Sequence, residues 1–285
     1  MLTAAFDVGG TKLIGALLDD TGVRVRLERP TPGPSGAADP GSVVLRGLAR
    51  ELSARADEGV AGVGVSFCEY VDHGRLTSTE VVAWTDQPSD WLPTIFEGST
   101  VLVESDVRCG LLAEHRSGAL RGVDSAIYVS WGTGLSSALL IAGAIWPGTR
   151  GRAIALGDLP TPWGTTLEAY AAGAGMTSRY AHLAGQRPSS ARELLQAADE
   201  GDRAAAEVAD TAGSALAEAL AALVSVLDPE RVVLGGGLGC ADQTRVQRAL
   251  RRRWSELGAP VELGTAQIGP DGSLIGAAMA VGWRG

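Results

Sequence analysis

The sequence predicts an α/β fold of two similar halves with a cleft between them. Two stretches share one layout, an apolar strand, a glycine–threonine turn and a second apolar strand: AAFDVGGTKLIGALL begins at Ala4 and AIYVSWGTGLSSALL at Ala126. Helical patterns lie between and after the two copies, as in α/β proteins. The 39 glycines among 285 residues suit many tight junctions between strands and helices, or backbone close to a ligand.

The individual elements follow from apolar periodicity and from turn residues. Strands are predicted at 2–9, 13–20, 23–30, 62–67, 99–105 and 231–234, with two more at 125–146 joined at the Gly-Thr-Gly. Helices are predicted at 42–59, 107–118, 167–184, 189–227, 244–257 and 273–283. The stretch 30–41 is rich in proline and glycine, which predicts a loop.

Charge and cysteine content exclude several classes of protein. The net charge is −9, so nucleic acid and anionic lipid are poor partners. Cys68, Cys109 and Cys240 show no CxxC spacing, which argues against a disulfide framework and fits a reduced cytoplasm. The first residues lack the pattern of a signal peptide. The alanine-rich segment 203–226 comes nearest to a membrane span, but charged residues interrupt it.

DVGGTK, at residues 7–12, is the first motif that could carry chemistry. Glycine has no Cβ, so backbone N–H groups in such a turn can approach phosphate oxygens. Asp7 could hold a water molecule of a Mg²⁺ ion bound to those phosphates. The candidate phosphate-binding residues are Gly9, Gly10, Thr11 and Lys12. A simple hairpin turn is the alternative interpretation.

Two further glycine motifs occur later in the chain. WGTG would supply a second phosphate contact, with Gly132, Thr133 and Gly134 as its candidate residues. LGGG follows an apolar strand and leaves bare backbone on which an adenine or ribose could lie, with candidates Gly235, Gly236 and Gly237. The alternatives are a hairpin turn for the first motif and a tight turn before a helix for the second.

VESD, at residues 103–106, places Asp106 at the carboxyl end of an apolar strand, where ligand sites of α/β proteins lie. A carboxylate there can accept the proton of a substrate hydroxyl as that hydroxyl attacks a phosphoryl group. The alternative is an ordinary helix N-cap aspartate. Both interpretations are compatible, because a cap position also points the carboxylate outward.

Together these motifs resemble those of the ROK family, whose enzymes are ATP-dependent sugar kinases of the actin-like, hexokinase-like (ribonuclease H-like) fold. DVGGTK, VESD, GTG, LGGG and the closing GSLIGAAMA match family motifs in the right order over nearly the whole chain. The resemblance implies that Asp106 is the catalytic base. It also implies a smaller domain of residues 1–106 plus about 270–285, a larger domain of 107–269, and a homodimer.

The departures from the family pattern concentrate in residues 150–168. The family has a glutamate where this chain has Ala155 and a histidine where it has Asp158, and its cysteine motif for zinc is absent. We therefore expect no zinc site. Glu168 matches the last of the sugar-binding groups. The candidate substrate-binding residues are Ser66, Ser105, Asp106, Asp158 and Glu168. Asp158 could instead cap a turn at Leu159.

The resemblance and the residues together predict a carbohydrate kinase that transfers a phosphoryl group from ATP, with Mg²⁺, to a hydroxyl of a sugar. Asp158 in place of the histidine favours an amino sugar, because a substrate ammonium group would pair with its carboxylate. A sugar-responsive repressor is disfavoured, since the first motif begins at residue 7 and the charge is wrong for DNA. A catalytically inactive, sugar-binding relative is the remaining alternative.

Overall fold

The structure, a computed structural model, describes residues 1–32, 40–82, 84 and 86–284. Its contacts divide the chain into two compact units: Met1–Ser117, Pro147–Ala153 and Asp271–Gly285 form the first, and Gly118–Trp146 and Ile154–Pro270 the second. The family resemblance implies a domain boundary at residue 106. By contacts, the helix that begins there stays in the first unit, because it packs against the last helix of the chain.

The first unit is a five-stranded sheet with helices. Its elements are β1 (Leu2–Val8), β2 (Lys12–Asp19), β3 (Gly22–Pro30), α1 (Pro40–Arg55), β4 (Val60–Phe67), β5 (Val71–Asp72), β6 (Arg75–Leu76), α2 (Pro88–Ile95), β7 (Thr100–Ser105) and α3 (Asp106–Ser117). The sheet order is β3-β2-β1-β4-β7, and β5 and β6 form a separate small hairpin. The apolar side chains of β1, β4 and α1 form its main core.

The second unit repeats this plan with more helices. Its elements are β8 (Ala126–Trp131), β9 (Leu135–Ile141), β10 (Ala144–Ile145), α4 (Leu167–Ala171), α5 (Gly173–Ala184), α6 (Ala191–Asp199), α7 (Arg203–Leu227), β11 (Arg231–Gly235), α8 (Gly236–Gly239), α9 (Arg245–Glu256) and β12 (Glu262–Thr265). A short 3₁₀ helix occupies Leu156–Asp158, and α10 (Gly272–Ala280) returns to the first unit.

The two sheets have the same topology, which confirms the duplicated α/β architecture. The second sheet has the order β10-β9-β8-β11-β12. In each sheet the first three strands of the unit pair antiparallel, and the first strand pairs in parallel with the fourth. Each Gly-Thr turn joins the first two strands of its sheet. The duplicated layout of the sequence is therefore a duplicated strand order.

Most predicted elements are present, and the differences have local causes. The helical stretch 167–184 breaks at Ala172, which adopts an extended backbone and separates α4 from α5. The stretch 189–227 breaks after Asp199 into α6 and α7. The sequence analysis missed α2, whose first residue is Pro88 and which contains Pro93. It also missed β12 and the β5–β6 hairpin, which are short. The predicted loop at 30–41 lies largely outside the described residues.

Helix α7 was judged too charged for a membrane span, yet by length and composition alone it could cross a membrane, with a mean hydropathy of 1.4 over its most apolar 18 residues. In the structure it packs against α9 and α6. Ala212, Leu216 and Leu220 on α7 are fully buried in the core of the second unit. The place of α7 in the core of the second unit therefore explains its high hydropathy.

Helix α10 approaches its neighbours so closely that glycine is required at the contacts. A Cβ at Gly64 of β4 would lie 1.9 Å from the carbonyl oxygen of Ala277, and a Cβ at Gly276 would lie 1.8 Å from that of Cys109. Neither distance is possible for a real side chain. The backbone of α10 therefore rests directly on β4 and α3, and α3 is the helix that begins with Asp106.

We expect Gly276→Ala to destabilise the protein by about 1–3 kcal/mol or more, because the methyl group can fit only if α10 moves away from α3. Gly272→Ala is the matched control, since a Cβ there meets nothing within 4 Å. The measurement is the free energy of unfolding in urea. Equal stability of the two variants would contradict the close packing of α10.

Candidate active site

The DVGGTK motif forms a tight turn between β1 and β2. The N–H of Gly9 donates to the carbonyl of Lys12 at 3.0 Å, and the hydroxyl of Thr31 donates to the carbonyl of Gly9 at 2.6 Å. Gly10 and Thr11 are exposed at the tip of the turn. The Lys12 side chain is exposed too, and its ammonium lies 3.6 Å from Glu28. The turn thus presents bare backbone, as the phosphate-binding interpretation requires.

Asp7 lies near the end of β1, beside the strand that carries Ser66. The two residues are partners in the parallel pairing of β1 and β4, and the Ser66 hydroxyl donates to Asp7 Oδ1 at 2.7 Å. Burial raises the pKa of Asp7, while the Ser66 hydrogen bond and the charge of Lys12 oppose that rise. Ser66 is fully buried, so its side chain supports Asp7.

Asp106 is the first residue of α3, directly after β7. Its Oδ1 accepts from the N–H of Val107 at 2.6 Å, and its backbone carbonyl accepts from the Ser273 hydroxyl of α10 at 3.2 Å. Burial, together with the charges of Asp7 and Glu69, raises the pKa of Asp106 to about 7. A carboxyl group with that pKa can exchange a proton near neutral pH.

A buried arginine behind Asp106 was missed by the sequence analysis. Arg108 Nε donates to Glu104 Oε1 at 2.7 Å, and its Nη1 donates to the carbonyl of Gly151 at 3.3 Å. Its Nη2 also donates to the carbonyl of Val71. The same Glu104 oxygen accepts from the N–H of Ser105 at 2.7 Å. The i, i+4 spacing of Glu104 and Arg108 was the available signal.

In the second unit, the GTG turn and the LGGG motif meet at one cavity of about 940 Å³. A Cβ at Gly132 would lie 3.6 Å from the N–H nitrogen of Gly237, so the two motifs lie close together. The turn is fixed from behind, because the carbonyls of Gly132 and Thr133 accept from the N–H groups of Gly173 and Ala174 at 2.8 and 3.0 Å. The volume suits a nucleotide-sized ligand.

The three glycines of LGGG have different roles. A Cβ at Gly235 would lie 2.3 Å from the Tyr128 hydroxyl, and one at Gly236 would lie 2.6 Å from the Trp131 carbonyl. Gly236 also has a φ of +77°, a conformation that favours glycine. Of the three, Gly237 lines the cavity. Gly235 and Gly236 are therefore fixed by packing, whereas Gly237 is available to a ligand.

Glu168, on α4, reaches back to the GTG turn. Its Oε2 accepts from the N–H of Leu135 at 2.7 Å, and a Cβ at Gly134 would lie 3.0 Å from that oxygen. Glu168 is nevertheless exposed as a residue. The structure thus gives Glu168 a second role, in which it holds the turn that the sequence analysis assigned to phosphate.

Asp158 and Glu168 stand at the two ends of a short closed loop. The N–H of Leu167 donates to the carbonyl of Leu159 at 2.8 Å, and the N–H of Thr161 donates to the carbonyl of Thr165 at 2.8 Å. A Cβ at Gly157 would lie 3.3 Å from Glu168 Cβ, so the 3₁₀ helix also packs on α4. Asp158 is exposed at the end of that helix. The loop closes by backbone hydrogen bonds.

Stacked rings fix the tip of this loop. Trp163 stacks on Tyr170 with ring centroids 4.1 Å apart and planes 6° from parallel. The Arg179 guanidinium lies 3.6 Å from the centroid of the Tyr170 ring and donates to the Tyr170 carbonyl at 3.0 Å. Among the described residues, no group of three or more His, Cys, Asp or Glu side chains is placed to hold a metal ion.

Comparison with known proteins identifies the class to which this chain belongs. It is 30% identical over 255 residues to the N-acetyl-D-glucosamine kinase of Vibrio atlanticus, covering 82% of this chain and 83% of that protein. It is 31% identical over 283 residues to the bifunctional enzyme NanE/NanK of Brucella melitensis, covering 96% of this chain. The chain spans about half the length of that relative, 52%. The crystal structure of a ROK hexokinase from Thermus thermophilus matches with a TM-score of 0.79 at 28% identity, covering 99% of this chain and 98% of that one.

The fold and these relatives define a carbohydrate kinase with the two-domain, hexokinase-like architecture. The model of the ROK family matches residues 3–282. The chain therefore belongs to the ROK family.

The raised pKa of Asp106 has a consequence for stability. Asp has a pKa near 3.9 in an unfolded chain, so between about pH 4 and pH 7 the unfolded chain releases this proton before the folded protein does. The contribution of Asp106 to stability therefore falls as pH rises through this window. We expect Asp106→Asn to be more stable than the wild type at pH 8, by up to about 4 kcal/mol, and this gain to shrink towards pH 4.

The measurement is urea unfolding of both proteins at pH 4.5 and pH 8. Glu97→Gln is the control, because it removes an exposed carboxylate from the same unit. A gain for Asp106→Asn that is the same at both pH values would show that the Asp106 carboxyl is not protonated near neutral pH.

Proposed function

We propose that this protein transfers a phosphoryl group from ATP to a hydroxyl of a sugar, with an amino sugar as its preferred substrate. The observation that carries this proposal is Asp106, whose carboxyl stands at the carboxyl end of β7 with a pKa of about 7. General bases work best when their pKa lies near the working pH. Asp106 is proposed to take the proton of the attacking sugar hydroxyl.

The proposed ATP site is the 940 Å³ cavity of the second unit. Gly132, Thr133 and Gly237 line it with backbone, which suits phosphate and nucleoside contacts. In the first unit, Gly10 and Thr11 are exposed at the tip of the DVGGTK turn, and their backbone is proposed to contact phosphate. Phosphoryl transfer depends mainly on positioning and on charge stabilisation, and these backbone groups would supply both.

Asp7 is the proposed group for Mg²⁺, through a bound water molecule. Mg²⁺ in kinases keeps several waters and uses one or two carboxylates plus phosphate oxygens, so a single carboxylate beside a phosphate-binding turn fits it. Asp7 Oδ1 is held by Ser66, which fixes the carboxylate in place. Bound there, Mg²⁺ would neutralise charge on the phosphates.

Ser105, Asp158 and Glu168 are proposed to position the sugar. Asp158 lies exposed directly before the loop 159–167, and Glu168 is the second residue of α4 at its other end. The relatives include an N-acetyl-D-glucosamine kinase, which supports a sugar substrate that carries a nitrogen substituent on a ring carbon. The cytoplasmic location, the homodimer and the absence of zinc, nucleic acid and membrane partners stay predictions.

Asp106→Asn is expected to lower kcat at least about a hundredfold, because general-base catalysis contributes about 10²–10⁴-fold. Binding of the ATP analogue AMPPNP should be retained, since the cavity is made by other residues. Coupled measurement of ADP release with a panel of sugars, amino sugars and cyclitols provides the assay. Arg121→Ala, in an exposed turn, is the control and should keep full activity. Near-normal turnover by Asp106→Asn would remove Asp106 from the role of base.

Asp158→Asn tests the amino-sugar preference. We expect the wild type to use 2-amino- or 3-amino-glucose with a higher kcat/KM than glucose, because a charge-assisted hydrogen bond to Asp158 is about twice as strong as a neutral one. The variant should lose this preference while it retains activity on glucose. The preference is rejected if wild type favours glucose, or if Asp158→Asn leaves an existing amino preference unchanged.

A further inference from the structure

Glu69 is a buried carboxylate that the proposed mechanism does not use. It follows β4 by two residues and is 5% exposed. Its Oε1 accepts from the N–H groups of Val81 at 2.6 Å and Val82 at 2.8 Å. Its Oε2 accepts from the N–H of Glu80 at 2.9 Å and also from the Ser78 hydroxyl. Four donors from one segment therefore converge on one side chain.

These four hydrogen bonds join the two ends of a loop that runs from Glu69 to Ser78. Between Glu69 and Ser78 the chain runs out and back through the β5–β6 hairpin. The N–H of Tyr70 donates to the Ser78 hydroxyl at 2.9 Å, and the N–H of Thr77 donates to the Tyr70 carbonyl at 2.8 Å. We call the segment Ser78–Val82 the clamped segment. Three of its five N–H groups depend on Glu69, so its position is set by that carboxylate.

The clamped segment touches the first glycine turn. A Cβ at Gly10 would lie 3.0 Å from Cγ1 of Val81, so the Val81 side chain lies beside that exposed glycine. Glu69 is also tied to the strand of Asp7, because its neighbour Cys68 donates its N–H to the carbonyl of Val8 at 3.0 Å. The side chain of Glu69 thus joins the end of β4, the clamped segment and the DVGGTK turn.

We propose that Glu69 is a positioning residue for phosphoryl transfer, which holds the clamped segment against Gly10 so that the turn keeps the geometry that transfer requires. This inference rests on the proposed kinase function. Glu69 acts through the segment and is not a catalytic residue itself.

The donors explain why the residue has to be a carboxylate. Each oxygen accepts two hydrogen bonds, and all four partners are N–H or O–H groups. An amide in its place would turn its NH₂ group towards two donors and lose their bonds. Glu69→Gln keeps the size of the side chain and therefore tests the acceptor role alone.

The first experiment is hydrogen exchange of the clamped segment, which needs no activity. We expect the amides of Glu80, Val81 and Val82 to exchange slowly in the wild type and faster in Glu69→Gln. Glu80→Gln is the matched control, since it changes an exposed side chain of the same segment and leaves the four bonds in place. Unchanged exchange in Glu69→Gln would overturn the proposal.

The second experiment separates positioning from folding. In Glu69→Gln, kcat per folded molecule should fall about tenfold to a hundredfold, because small displacements of reacting groups cost that much. AMPPNP affinity should fall much less than kcat, since the cavity of the second unit, which Glu69 does not line, supplies the remaining contacts with the nucleotide. Glu69→Asp keeps the acceptors on a shorter stem and should recover part of kcat. A loss of AMPPNP affinity equal to the loss of kcat, or an equal loss of kcat in Glu80→Gln, would overturn the proposal.

Ser78→Ala covers the case in which Glu69→Gln does not fold. It removes one of the four donors. We expect the amides of the clamped segment to exchange faster and kcat to fall, both to a smaller extent than in Glu69→Gln. Wild-type protein that phosphorylates no sugar would overturn the proposed function, while the exchange result would still decide whether Glu69 fixes the clamped segment.

Discussion

The proposed site of the first unit depends on three carboxylates, Asp7, Glu69 and Asp106, that accept hydrogen bonds from N–H and O–H groups. Asp7 accepts from a serine hydroxyl, Asp106 from the next backbone N–H, and Glu69 from four donors of one segment. Hydrogen bonds to a charged acceptor are stronger than neutral ones, which offsets part of the desolvation. Burial, together with the charges of Asp7 and Glu69, raises the pKa of Asp106 to about 7, a value useful to a base.

The strand order explains why these groups meet. Asp7, Glu69 and Asp106 come at or just after the carboxyl ends of β1, β4 and β7, which are parallel neighbours in one sheet. Helix α10 lies against the same strands through Gly64 and donates from Ser273 to the Asp106 carbonyl. The position of the proposed base is therefore set by sheet order and by the backbone contact of α10 with α3, which Gly276 permits.

The sequence predicted the duplicated strand pattern because alternating apolar runs and Gly-Thr turns are local signals. It predicted Asp106 and the glycine turns for the same reason, since each motif is contiguous. It missed Glu69, because no local pattern indicates that Val81 and Val82 donate to it, and it missed the contact of Arg108 with Gly151, although the i, i+4 spacing of Glu104 and Arg108 was a local signal. The sequence also could not show which glycine of LGGG is available to a ligand, because Gly235 and Gly236 are required by their packing against Tyr128 and Trp131 of a different strand. The roles of these residues depend on contacts between distant parts of the chain, which a contiguous motif does not contain.

The loop 159–167 lies where the family pattern has a cysteine motif for zinc. Here the loop is held by backbone hydrogen bonds and by ring stacking. Its two sides are joined by backbone hydrogen bonds, and its tip is fixed by the stack of Trp163, Tyr170 and Arg179. A stacked pair of this kind contributes roughly 0.5–1.5 kcal/mol beyond its buried area. Such contacts leave both ends of the loop defined, and those ends carry Asp158 and Glu168. The backbone hydrogen bonds and the ring stack together account for the closure of the loop.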